Sequence, residues 1–73
     1  MDDRQLKNFV FFKSILPELR EKNLLKYVII HDEKVIKISP TLKESLLNAI
    51  DQFGYAGDFI IQEIYEEGRF NFT

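Results

Sequence analysis

The sequence contains no cysteine, which excludes disulfides, thiolate metal ligands and a thiol nucleophile. At 73 residues it forms one domain that buries a small share of its unfolded surface. Close packing or self-association must then supply the stability that covalent staples give to other small chains. Long apolar runs are also absent. Stretches such as residues 9–12 and 27–30 fall far below the roughly 20 residues that cross a bilayer, so no membrane association is expected. Asp2 and Asp3 stand where a signal peptide would be basic, and the expected compartment is the cytoplasm. Neither sign of charge is in excess. Ten basic and twelve acidic residues leave a net charge of −2, and from Arg4 to Arg69 the two signs are interspersed, with no field directed at phosphate.

What the sequence does hold is an ordered series of patterns. Asp2 and Asp3 suit the positive end of a helix dipole. Spacings of three and four then place Leu6, Phe9, Val10, Phe12 and Leu16 on a broad stripe that Phe11 falls outside. Pro17 lacks an amide donor, so a break or kink is expected there, with a short further turn to Lys22 and a stop at Asn23. Two β-type runs follow, Tyr27, Val28, Ile29, Ile30 and then Val35, Ile36, Lys37, Ile38. They predict a hairpin. No glycine lies between them, and a longer loop over residues 31–34 is an alternative to a tight turn.

Thr41 with Glu44 fits a capping box, and Leu42, Leu46, Ala49, Ile50 and Phe53 then share one helical face. Lys43, Glu44, Asn48, Asp51 and Gln52 make the other face polar, and Gly54 suits a left-handed cap. A third strand is expected over residues 59–65. A turn over residues 66–69 would let Phe70 and Phe72 pair as a short fourth strand. The predicted fold is a single α+β domain: a helical segment over residues 1–23, a ββαβ core over 25–65, and a turn with a terminal strand over 66–73. A right-handed crossover gives a small, mainly antiparallel sheet of order 2-1-3 with the capped helix packed on a face. The first strand is apolar on both sides, so the N-terminal helix or a partner subunit must cover the other face.

Chemistry-bearing residues are sparse. His31, Asp32 and Glu33 form an adjacent trio, but successive hairpin residues diverge, and a metal site needs several convergent ligands. The pairs Asp2, Asp3 and Glu66, Glu67 read as a helix start and a charged turn. Ser14, Ser39 and Ser45 have no histidine at a spacing that suggests a base, and Gly54, Gly57 and Gly68 are too scattered to cradle a phosphate. No catalytic, metal or cofactor-binding residue is assigned, and no cofactor is expected.

The aromatics are the richest resource. A base-stacking sheet would want Lys or Arg interleaved on the strand at 59–65, which brings only Glu63. Core and interface packing accounts for them better. The apolar surplus at residues 9–12 points to a partner surface, with Phe9, Phe11, Phe12, Leu16, Phe70 and Phe72 as the candidate interface.

The hairpin from Lys26 through Ile36, the helix from Thr41 to Gly54 and the strand from Asp58 to Ile64 resemble a group of small, uncharacterised bacterial domains. Their pattern runs Leu-Pro-x-Leu, a Tyr/Trp-Val strand, an Asp-Gly hairpin, a helix ending in Phe-Gly and a closing Phe-hydrophobic strand. Leu16-Pro17-Glu18-Leu19 and Phe53-Gly54 match it, and Glu33 departs from it where glycine is common. The resemblance implies the fold and no activity. The expected function is a non-catalytic module working by protein contact, as a homo-oligomer or as the small regulatory, antitoxin-like partner of a larger protein. A nucleic-acid-binding regulator is the alternative, and an enzyme built around His31 comes third.

Overall fold

A computed structural model describes residues 3–68. Helix α1 spans Asp3–Asn23, strands β1 Tyr27–His31 and β2 Lys34–Ser39, helix α2 Leu42–Phe53 and strand β3 Ile60–Glu63. The sheet has the order β2-β1-β3, and β1 is antiparallel to both neighbours. Strands β2 and β3 therefore run parallel, joined by α2 across β1. This is the predicted α+β architecture. The fourth strand expected at Phe70 and Phe72 lies outside the described residues.

Helix α1 covers one face of the sheet. Phe12, Leu16 and Leu19 bury against Val28, Ile30 and Ile64, with Ile15, Ile38 and Ile60 packed around them. Each large side chain so buried contributes about 1.5–3 kcal/mol. Alternation along β1 turns Ile29 and His31 to the opposite face, where α2 lies. The two helices thus sandwich the sheet, and the cover that β1 requires comes from the chain itself.

One local expectation is corrected and two open alternatives are narrowed. Pro17 does not end α1, which runs through it to Asn23. Pro17 and Lys13, whose carbonyl loses its intrahelical partner, are both exposed, so water can serve that carbonyl. Leu16 and Leu19, buried on the other side, hold the helix together across the proline. The stripe on α1 is also rotated from the expected one: Leu6 and Val10 are at least half exposed, whereas Asn8 is buried and Phe11 packs against the core. Third, the hairpin turn is tight. Asp32 and Glu33 both have positive φ, +54° and +57°, as a two-residue turn of the primed type requires.

Glu33 bears the left-handed conformation at a cost of about 1–2 kcal/mol that glycine would avoid. Part of that gain is offset by glycine's greater freedom in the unfolded chain. Glu33→Gly is therefore expected to stabilise the domain by about 0.5–1 kcal/mol, read as a higher urea midpoint with an unchanged slope.

Helix α2 begins as predicted, with the Thr41 hydroxyl accepting from the Glu44 amide at 3.2 Å. It ends at Gly54, whose N–H donates to the Ile50 carbonyl at 2.7 Å with φ +79°. Its buried contacts are nevertheless Ser45 and Ala49 rather than the leucine stripe. Small side chains let the helix approach the sheet closely, and the larger leucines are rotated outward. Neither the Ser45 hydroxyl nor that of buried Ser39 has a hydrogen-bond partner among the described residues. A buried, unpaired hydroxyl costs about 1–3 kcal/mol. Ser45→Ala is accordingly expected to raise the melting temperature by about 4–8 °C, the shift that 1 kcal/mol gives a domain of this size.

Candidate functional site

A concave surface lies where the first two turns of α1, the β1–β2 turn and the loop before β3 converge. It encloses about 330 Å³. Arg4, Lys7 and Asn8 line it from α1, His31 and the turn residues from the hairpin, and Asp58 from the loop. Asn8 is its anchor. The side-chain Oδ1 accepts the Glu33 amide at 2.9 Å, so the buried asparagine ties α1 to the most strained residue of the hairpin. Its Nδ2 donates to Gln5 Oε1 at 3.4 Å.

The loop reaches this place because Gly57 folds back onto the end of α2. A Cβ at Gly57 would lie 2.4 Å from the Phe53 Cβ and 2.8 Å from its carbonyl oxygen. The fold-back brings the Asp58 carbonyl within 2.6 Å of His31 Nδ1. A carbonyl only accepts, so Nδ1 carries the proton and, in the neutral ring, Nε2 is left as an acceptor. The His31 ring rests on Phe53 at 4.3 Å between centroids, and Phe53 stacks on Phe59 at 5.9 Å. The Asp58 carboxylate pairs with the Arg4 guanidinium.

The cleft therefore gathers His31 with groups from two other elements, a convergence that the divergent trio of residues 31–33 could not supply alone. What it gathers is a set of ties. Ser14 donates to the Phe11 carbonyl at 2.7 Å, and Thr41 caps α2. Ser39 and Ser45 are buried. None of these hydroxyls lines the cleft. Among the described residues, no three His, Asp or Glu side chains are placed to hold a metal ion. Glu66 and Glu67 are exposed, and Asp2 of the other carboxylate pair lies outside the described residues.

At the opposite end of α1, Tyr65 is the second anchor. Arg20 Nε donates to its carbonyl at 2.8 Å, and the Arg20 guanidinium and Lys13 ammonium each lie 5.3 Å from its ring centre. These contacts fix the segment after β3 against the helix. They also occupy an aromatic that a base-stacking surface would need free.

Of the residues expected at an interface, Phe12 and Leu16 are buried in the core of this chain. Phe9 and Phe11 are half buried against that core, and Phe70 and Phe72 lie outside the described residues. Exposed large apolar side chains among the described residues include Leu6 and Val10 on α1, Leu24 and Leu25 after it, Val35 on β2, Tyr55, and a group of three on α2. Leu42, Leu46 and Leu47 are 52%, 44% and 58% exposed. Leu47 was absent from the predicted apolar face. The adjacent pair Leu46, Leu47 was its only trace in the sequence, because neighbours about 100° apart cannot both enter a narrow core contact. Asn8 was likewise concealed, as a polar residue on an apolar stripe.

Comparison with protein-family models, curated proteins and solved structures finds no match. No described helix is long and apolar enough to cross a membrane.

Proposed function

We propose that this chain is a non-catalytic module that works through protein contact on the outer face of α2. The observation that carries the reading is the exposure of three leucines on one 12-residue helix whose inner face already packs on the sheet. The cleft supports the same reading from the other side, since its histidine, asparagine and ion pair hold α1, the hairpin and the loop together.

The absence of native cysteine makes the test simple. A thiol introduced by Leu47→Cys is expected to be alkylated several-fold more slowly in concentrated native lysate than in dilute purified protein. A thiol introduced by Glu18→Cys, on the exposed side of α1, should react at similar rates in both. Equal rates for the position-47 thiol in the two conditions would contradict the proposal.

A further inference from the structure

Resting on that reading, we infer that the occupant of the outer α2 face is a second copy of this chain, packed antiparallel about a two-fold axis at Leu47. Ser45 and Ala49 face the sheet, so Leu47, two residues from each, is turned most directly outward. Lys43 and Asp51 lie four residues before and after it and complete one ridge along the helix. The ridge reads positive, apolar, negative. Such a ridge is its own complement when reversed: an antiparallel copy places Leu47 on Leu47, Lys43 on the partner's Asp51 and Asp51 on the partner's Lys43. Both charged side chains are exposed, and neither has an ion-pair partner among the described residues. Leu46 and half-buried Ile50 flank the ridge on one side and extend the apolar contact. A parallel arrangement would instead set Lys43 against Lys43 and Asp51 against Asp51.

One helix face is small beside the roughly 800 Å² per partner of a standard interface. The dimer is therefore concentration-dependent, with a dissociation constant between about 1 μM and 1 mM.

Charge reversal tests the pairing. Lys43→Asp and Asp51→Lys each put two like-charged contacts into the homodimer, and each should weaken self-association about tenfold in sedimentation equilibrium at low salt. An equimolar mixture of the two variants should recover the wild-type affinity as a heterodimer, because every contact is then again between opposite charges. The differences should shrink toward 1 M salt. Under mild oxidation, the thiols introduced by Leu47→Cys should join in a disulfide-linked dimer, while those from Glu18→Cys should not.

A wild-type chain that stays monomeric to about 1 mM overturns the inference. Slow alkylation of the position-47 thiol in lysate would then still support contact with a different protein, so the two readings fail separately. A wild-type dimer in which neither reversal changes the affinity, or in which mixing restores nothing, also overturns the antiparallel α2 pairing.

Discussion

Phe12→Ala should leave the domain largely unfolded or close to its unfolding threshold at 25 °C. Phe12 is fully enclosed and meets Phe9 and Tyr65 with ring centroids 6.4 Å away in each case. Truncating a buried phenylalanine costs about 3–5 kcal/mol, part of it lost transfer energy and part the cavity left behind. A chain of 73 residues has about 4–11 kcal/mol in total at the usual 0.05–0.15 kcal/mol per residue. Urea unfolding followed by far-UV circular dichroism measures the loss. The same experiment settles the role of Phe12. A side chain serving a partner would change association and leave the monomer's midpoint in place, whereas one filling the core lowers the midpoint at any concentration.

Asn8→Ala should cost about 2–3 kcal/mol, a large effect for one polar residue on a helix. Three losses combine: the bond to the Glu33 amide, the small cavity under α1, and the support of a turn whose two central residues sit at positive φ. A double-mutant cycle separates the last of these. Once Glu33→Gly has relieved the turn, Asn8→Ala should cost less than in the wild type, with a coupling energy of about 0.5 kcal/mol or more. Strict additivity in urea unfolding would mean that Asn8 acts only by filling space.

The order and type of the elements were legible because each rests on local chemistry: β-branched runs, the Thr41 cap, the stop at Gly54. Sheet order followed from the handedness of one crossover. The helix rotations were not legible, because they depend on partners remote in sequence. On α1 the buried face is set by Asn8 reaching Glu33, 25 residues away, and this swings Val10 outward and brings Phe11 onto the core. On α2 the contact is made by Ser45 and Ala49, small residues whose value is close approach rather than hydrophobic area. A stripe counted from apolar residues therefore took in Leu42 and Leu46, which are exposed, together with buried Ala49 and half-buried Ile50 and Phe53. The continuity of α1 across Pro17 was hidden for a related reason, since propensity argues for a break and tertiary packing on the opposite side overrides it. The cleft could not be read at all. It depends on Gly57 folding the loop onto Phe53, and the sequence offers only a glycine among turn residues as a hint.

The claim that the outer face of α2 pairs two copies of this chain is checked by amide chemical shifts in a dilution series of the purified wild-type chain, from about 1 mM to 20 μM, within the range in which a single-helix interface should dissociate. Concentration-dependent shifts centred on residues 42–51 are expected, with little change along α1 or at the cleft around His31. Spectra that do not change on dilution, or shifts centred on α1 and not on α2, would contradict that claim.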